Sequence, residues 1–187
     1  YIGEISGLTE LSIPNAGITD DGLAHFKQLT RLEVLYIRSN RITDEGLIHL
    51  EKLTNLTTLY LSENPTIAGT GFKHITSQPK LKKLYVAHTG ISDTGLACIG
   101  ELAGLTDLDV SYTSITDGGL IHLKKMTGLK ELEISGNRIN GSGLVNLSAL
   151  RFAHWLDLSR TDLSDEGIVF IRDFTNLRRL WLTRTKI

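Results

Sequence analysis

Two sets of side chains that could take part in binding recur at a nearly constant spacing in this chain of 187 residues. The first set is aromatic and consists of Tyr36, Tyr60, Tyr85, Trp155 and Trp181. The second set is acidic and consists of Asp107, Asp109, Glu131, Glu133 and Asp157. Aromatic side chains on an exposed surface anchor protein interfaces, and clustered carboxylates favour a basic partner. The regular spacing indicates that a repeated structural unit positions both sets.

Histidines and aspartates form two further series, and these could suggest metal binding. A metal site needs three or four ligands about 2.0 to 2.3 Å from one ion, whereas neighbouring helices pack about 8 to 10 Å apart. We therefore expect no metal site. The imidazoles should instead fill the space between helices and bond a neighbouring backbone group, and the aspartates should supply negative charge at helix N-termini rather than bind calcium. The residues are His25, His49, His74 and His122, with Cys98 at the equivalent place in another unit, and Asp20, Asp44, Asp93, Asp117 and Asp165.

Catalytic and cofactor motifs are missing from the sequence. It contains no HExxH zinc motif, no phosphate-binding loop and no GxSxG elbow. The formal net charge of -1 gives no general attraction to nucleic acid, and no apolar run approaches the roughly 18 residues of a membrane span. A single cysteine excludes an internal disulfide. We therefore expect a protein that is not an enzyme and that holds no cofactor.

The unit that positions these residues is marked by ITDEGL at residues 42–47, which recurs in near-copies every 24 or 25 residues. If each repeat is counted from its upstream leucine, apolar residues at positions 1, 4 and 6 predict a short strand with one buried face. Asn or Thr at position 9 can hydrogen-bond the following turn. The Thr or Ser of the motif is then expected to be the N-cap of a helix whose inner face carries positions 16, 19 and 22. One strand, one turn and one helix per repeat predict a right-handed parallel solenoid.

The pattern LxxLxLxx(N/T)xI resembles the leucine-rich repeat consensus, and ITDxGLxHLxxL resembles the repeats of bacterial members of that family. This resemblance implies an α/β leucine-rich repeat solenoid, a curved horseshoe with a parallel β-sheet on the concave face and helices on the convex face. It agrees with a structural role for the histidines, because GLxHL is part of the bacterial consensus. Similar repeats occur in the F-box substrate receptors of ubiquitin ligases, although those usually carry cysteines that this chain lacks.

The continuous series of repeats predicts a single domain over residues 1–187. Seven full repeats start at residues 8, 32, 56, 81, 105, 129 and 153, and partial repeats occupy 1–7 and 177–187. Neither end shows the polar cap that a solenoid needs, so we expect a segment of a longer protein. Irregularities near Pro65, at residues 140–143 and at Ala153 are expected to be local bulges rather than binding loops, with Phe152 filling the space that Ala153 leaves.

In this family, strand positions 3 and 5 line the concave face, so the acids and aromatic residues should lie there together. Like charges about 5 Å apart repel by roughly 0.8 kcal/mol even at the dielectric of water, so packing alone gives no reason to stack them. Two alternatives stay open: a solvated acidic face partly neutralised by Lys130 and Arg160, and aromatic residues that only stabilise the strands.

These features favour a non-catalytic module that binds a protein or peptide partner, with a basic segment as the contact of the acids. The alternatives are a receptor for carbohydrate or a cell-surface ligand, with the tyrosines as a stacking platform, and the substrate-recognition part of a ubiquitin ligase or bacterial effector. The partner's identity, the oligomeric state and the compartment do not follow from the sequence.

Overall fold

The computed structural model describes residues 2–187, so Tyr1, the first residue of the expected partial repeat 1–7, lies outside the described residues. Eight short strands form one open parallel sheet in which the strand order follows the chain order. The strands are β1 Glu10–Ser12, β2 Val34–Tyr36, β3 Thr58–Tyr60, β4 Lys83–Tyr85, β5 Asp107–Asp109, β6 Glu131–Glu133, β7 Trp155–Asp157 and β8 Arg179–Trp181. The predicted solenoid with a parallel sheet on its concave face is therefore confirmed.

The register of this sheet joins equivalent residues of successive repeats. Leu35 pairs with Leu59, which pairs with Leu84, and equivalent residues continue to pair up to the last strand. Because paired residues point to the same face, each strand position becomes a row of side chains about 4.8 Å apart. The central row is buried in β2 to β7, where its six leucines are at most 1% exposed, and it forms one side of the core.

The opposite side of each repeat is helical, but the helices are shorter and tighter than the sequence predicts. Within residues 2–187 three segments are α-helical, namely α1 Asp20–Ala24, α2 Asp93–Gly100 and α3 Asp165–Ile168. The other described helices are of the 3-10 type and span Ile2–Glu4, His25–Gln28, Gly46–Leu50, Thr70–Ile75, Gly119–Leu123, Ser142–Leu147 and Val169–Asp173. A 3-10 helix rises about 2.0 Å per residue against about 1.5 Å for an α-helix, so fewer residues cover the back of a repeat. None of the helices in residues 2–187 is long and apolar enough to cross a bilayer.

The aspartates of the recurring motif bind the next repeat rather than only their own helix. Asp44 accepts hydrogen bonds from the backbone N–H groups of Ala68, Gly69 and Gly71 at 2.9 to 3.1 Å. Asp117 accepts the equivalent bonds from residues 140, 141 and 143 at 2.7 to 3.1 Å. The expected position in the first helical turn is observed for Asp20, Asp93 and Asp165, but the expectation missed the bonds with which motif aspartates join consecutive repeats.

The expected N-capping by the motif's hydroxyl is observed in two repeats and not in three others. Thr19, Ser92 and Ser164 occupy N-cap positions with extended backbone, yet none of them makes a side-chain capping bond. The Thr43 hydroxyl accepts the N–H of Glu45 at 3.2 Å and donates to Asp20 of the preceding repeat at 2.6 Å. Thr116 makes the equivalent bonds, accepting from Gly118 at 3.2 Å and donating to Asp93 at 2.7 Å. The Asp20 carboxylate is charged and is therefore a stronger acceptor than a neutral group, so the Thr43 O–H donates its hydrogen bond to this carboxylate.

Glycine at the start of the 3-10 helix permits this close approach of repeats. A Cβ built on Gly71 would collide with the backbone carbonyl of Asp44, and one on Gly143 would collide with that of Asp117. At these two positions, therefore, only glycine can place its N–H group against the aspartate of the previous repeat.

Asparagine at position 9 makes a second link between repeats. Asn64 is fully buried, and its side-chain amide donates to the carbonyls of Ile37 at 3.1 Å and Leu61 at 2.8 Å. Its side-chain oxygen accepts the N–H of Ile42. Threonine at the same position donates to its own turn, as Thr89 does to Val86, and the Thr113 hydroxyl also lies 2.9 Å from the side-chain oxygen of Asn137 in the next repeat. The predicted role of position 9 in the turn is therefore observed, and asparagine extends it to the neighbouring repeat.

The expectation that Phe152 fills the space left by Ala153 is wrong. Ala153 itself takes the inward position and is 1% exposed, whereas Phe152 is 64% exposed. Because Phe152 lies one residue earlier in the turn, its side chain points away from the core slot that Ala153 occupies.

We predict that Asp117→Ala lowers the free energy of unfolding by about 2 kcal/mol, because three backbone N–H groups lose a charged acceptor. Urea denaturation followed by circular dichroism measures this change. The matched control is Asp21→Ala, which removes an exposed acid of α1 and should change stability by no more than about 0.5 kcal/mol. Equal effects of the two variants would contradict the role assigned to Asp117.

Candidate functional site

The sheet register brings the predicted site residues into two adjacent rows of the concave face. The first row, at position 5, runs through Tyr36, Tyr60, Tyr85, Asp109, Glu133, Asp157 and Trp181. The second row, at position 3, runs through Lys83, Asp107, Glu131, Trp155 and Arg179. All ten residues predicted from the sequence therefore lie on one surface, although their surroundings differ.

The three tyrosines form a continuous stack. The ring centroids of Tyr36 and Tyr60 are 4.4 Å apart with an interplanar angle of 13°, and those of Tyr60 and Tyr85 are 4.3 Å apart with an angle of 5°. Both faces of the Tyr60 ring are thus covered by its neighbours. The central ring of the stack therefore offers its edge and its hydroxyl group, rather than an open face, to a molecule in the concave groove.

Asp107 differs from the other four acids because its charge is already neutralised. Its side chain is nearly buried and accepts hydrogen bonds from Lys83 Nζ at 3.0 Å and from Thr106 Oγ1 at 2.5 Å. The bond to Asp107 also raises the pKa of Lys83. Asp107 therefore acts inside the sheet surface, and Lys83 is a partner that the sequence reasoning missed.

The other four acids lack a cationic partner within residues 2–187, where no ion pair includes them. Lys130 and Arg160, considered as neutralising residues, form no ion pair with them in this part of the chain. Backbone N–H groups hold two of the carboxylates, since Ser111 donates to Asp109 at 2.9 Å and Ser159 donates to Asp157 at 2.8 Å. We call the four residues the acidic cluster: Asp109, Glu131, Glu133 and Asp157.

Mutual repulsion and burial change how the acidic cluster ionises. Burial raises the pKa of Glu133 to about 7, and the charges of Asp109, Asp157 and Glu131 contribute to the increase. Burial also raises the pKa of Asp109. The cluster consequently holds a proton near neutral pH that an isolated glutamate would have released.

The two tryptophans border the acidic cluster with different exposure. The guanidinium carbon of Arg179 lies 4.6 Å from the centre of the Trp155 ring, a cation–π contact that covers this residue. Trp181 is 51% exposed and offers an open aromatic surface. Arg179 was not predicted as a contact, although its position 3 places it beside Trp155.

A second aromatic pair lies on the rim of the sheet and was missed by sequence reasoning. The rings of His88 and Tyr112 stack at 4.5 Å with an angle of 8°, and both residues have left-handed backbone angles, with φ of 55° and 52°. Their shared position 8 in adjacent repeats was the signal that could have revealed the pair.

The four histidines of the helical side do not behave as expected. His25 and His122 are exposed and His49 and His74 are half-buried, and no side-chain hydrogen bond joins these imidazoles to another described residue. Their predicted bonds to neighbouring backbone groups are therefore not formed, since water has access to the rings. Within residues 2–187, no group of three or more His, Cys, Asp or Glu side chains is arranged to hold a metal ion.

A solenoid of short parallel strands backed by short helices defines a repeat protein with an extended concave surface. The chain matches a family model of two leucine-rich repeat copies at residues 30–74. It matches a model of the single leucine-rich repeat at residues 77–100, 105–124 and 125–148. The chain belongs to the leucine-rich repeat family, whose domains are protein-interaction modules.

Solved structures of bacterial proteins share this fold. An internalin C2 from Listeria monocytogenes superposes with a TM-score of 0.71 at 22% sequence identity, covering 95% of this chain and 82% of the other. An internalin inlF from the same organism gives a TM-score of 0.57 at 21% identity, covering 97% of this chain and 69% of the other. A comparison with curated proteins gives no significant match.

We predict that the elevated pKa of Glu133 makes stability fall as the pH rises. The folded state binds the proton up to about pH 7, whereas the unfolded state releases it near 4.5, so stability is lost between these values. Glu133→Gln carries no charge at any pH, so its advantage over the parent protein should grow from pH 5 to pH 8. Urea denaturation at several pH values measures the difference.

The matched control for this experiment is Glu33→Gln, which changes an exposed glutamate outside the concave rows. It replaces the same type of side chain away from the acidic cluster, so a pH dependence common to both variants does not come from that cluster. A constant difference for Glu133→Gln over the same range would contradict the elevated pKa.

Proposed function

We propose that this domain is a non-catalytic module that binds a protein or peptide partner on its concave face, with a basic segment of the partner over the acidic cluster. The observation that carries the proposal is the acidic cluster itself, four carboxylates on β5 to β7 without a cationic partner in residues 2–187. Exposed Trp181 lies in the same row as three of these acids.

Electrostatics favours a cationic partner at this place. Each pair of ionised neighbours in the cluster repels by roughly 0.8 kcal/mol even at the dielectric of water. A lysine or arginine from a partner would offset this repulsion and lower the pKa of Glu133 again. The partner should therefore bind more tightly as the pH rises through about 7. Glu133 loses its proton in this range, and its negative charge then attracts the cation of the partner.

The aromatic residues supply the non-electrostatic part of the proposed contact. Trp181 offers open apolar surface, which is typical of residues that dominate interface energies. The tyrosine stack offers phenol hydroxyl groups in a row, and these can hydrogen-bond the backbone of an extended peptide. An acidic region next to hydroxyl and indole groups suits a segment that is basic at one end.

The stacking geometry disfavours the carbohydrate alternative. Sugar rings pack on open aromatic faces, but both faces of Tyr60 are covered by neighbouring tyrosines at 4.3 to 4.4 Å. The tyrosine stack therefore supports the peptide interpretation more than a sugar-binding platform. Binding on a glycan array that is lost in Tyr60→Ala would reverse this preference.

We predict that reversing two charges of the acidic cluster weakens binding of a basic probe. The probe is a fluorescein-labelled peptide of ten residues in which lysine alternates with glycine, and fluorescence anisotropy measures its affinity. The double variant Glu133→Lys with Asp157→Lys should bind it at least about tenfold more weakly, and the affinity of the parent protein should fall with added salt.

The control for this prediction is the double variant Glu33→Lys with Glu166→Lys, which alters the net charge equally at exposed sites outside the concave rows. It should retain most of the affinity. An equal loss in both double variants would show general attraction between opposite net charges and would refute a specific role of the acidic cluster.

A further inference from the structure

The turn before β7 exposes the aromatic side chain of Phe152, which does not pack in the core. Phe152 is 64% exposed, more than any other large hydrophobic side chain in residues 2–187. The same position of neighbouring repeats carries glycine or a polar residue. Asn55 and Asn176 use this position to donate a side-chain hydrogen bond to the preceding repeat, to the carbonyls of Thr30 at 2.7 Å and Arg151 at 2.6 Å. Phenylalanine cannot donate such a bond, so Phe152 lacks this link to the preceding repeat and exposes apolar surface instead.

Cationic and hydrogen-bonding side chains surround Phe152. Lys130, His154 and Arg178 precede β6, β7 and β8 at the same repeat position, and backbone bonds hold them side by side. The N–H of His154 donates to the carbonyl of Lys130, and the N–H of Arg178 donates to that of His154, each at 2.9 Å. These three residues, together with Phe152 and Asn176, line one open cavity of about 370 Å³.

The positive charge of this cavity is not balanced within the described chain. Lys130 and Arg178 take part in no ion pair among residues 2–187. No acidic side chain lines the cavity. The acid of the adjacent depression, Asp173, is paired with Arg172 at 3.8 Å. Lys130 and Arg178 lie two strands apart on either side of His154, and an anionic partner between them would be attracted by both charges.

We propose that Phe152, Lys130, His154 and Arg178 form a second binding site, which we call the basic pocket, and that its occupant is an acidic peptide segment carrying an apolar side chain. Glutamate or aspartate carboxylates bind Lys130 and Arg178, and His154 donates a further hydrogen bond. The apolar side chain packs on the ring of Phe152. An arginine guanidinium and an exposed aromatic ring are the two features that interface anchors most often combine.

The basic pocket is chemically opposite to the acidic cluster and lies at the start of the same strands. Lys130 immediately precedes Glu131, and His154 immediately precedes Trp155. A partner that covers both surfaces must therefore present basic and acidic groups in a fixed order along the strand direction. This arrangement selects the orientation of a partner, because the reversed orientation would place like charges together.

Binding of a designed acidic peptide tests the basic pocket. The probe is a fluorescein-labelled peptide of eight residues in which glutamate alternates with leucine, measured by fluorescence anisotropy against the full chain. The parent protein should bind it, and the affinity should fall with added salt. The double variant Lys130→Glu with Arg178→Glu should bind at least about tenfold more weakly. Phe152→Ala should weaken binding about threefold or more and leave the salt dependence unchanged.

Two controls make the result specific. The double variant Lys52→Glu with Lys124→Glu makes the same charge change at exposed sites outside the cavity, and it should bind the probe within about twofold of the parent protein. A peptide with glutamine in place of glutamate should not bind. No measurable binding of the acidic probe, an equal loss in the control variant, or unchanged affinity in Phe152→Ala would each overturn the proposal.

The same variants separate this proposal from the proposed function. The lysine-containing probe should bind the Lys130→Glu, Arg178→Glu protein at least as well as it binds the parent protein. Loss of the acidic probe alone supports the basic pocket. Binding of the lysine-containing probe without any binding of the acidic probe would leave the concave site standing and refute the basic pocket.

Discussion

Each side chain on the sheet of this domain takes its place from the parallel register, which pairs every strand residue with the one 24 or 25 positions later. Polar groups of the turns enforce that register. Asp44 and Asp117 each bind three backbone N–H groups of the following repeat, and buried Asn64 connects three turn segments. A charged acceptor that serves several donors leaves little freedom for slippage, because a shift by one residue would leave buried groups unsatisfied. Because the register is constant, residues at the same position of successive repeats lie in one row on the surface.

The chemistry of the concave face follows from this constraint. Residues of the same type at one position must stack, whether or not their stacking is favourable. Tyrosines gain from it, as their rings meet at 4.3 to 4.4 Å. Stacked carboxylates repel each other, and burial together with this repulsion raises the pKa of Glu133. Only Asp107 escapes, because the register places Lys83 next to it. The repulsion among these carboxylates, which no cation of the fold neutralises, is the physical reason for proposing that a partner binds this surface.

The strand rows could be predicted from the sequence because the apolar spacing alone determines which positions face inward. The Lys83–Asp107 pair could also have been predicted, since both residues occupy position 3 of adjacent repeats. Other features depend on three-dimensional distances that spacing does not contain. The motif aspartates were placed at helix starts, but their reach to the next repeat depends on how closely Gly71 and Gly143 allow the turns to approach. The 3-10 geometry of the helical side and the outward direction of Phe152 likewise arise from how the turns pack.

We propose that the concave rows of β5 to β8 contact a basic segment of a partner. Two-dimensional NMR of the isotope-labelled domain, titrated with the lysine-containing probe, tests this claim residue by residue. We predict that the backbone amide signals that shift most belong to residues 107–109, 131–133, 155–157 and 179–181, while signals from the helical segments Gly46–Leu50 and Gly119–Leu123 stay in place. Shifts confined to the helical side, or spread evenly over the domain, would contradict it.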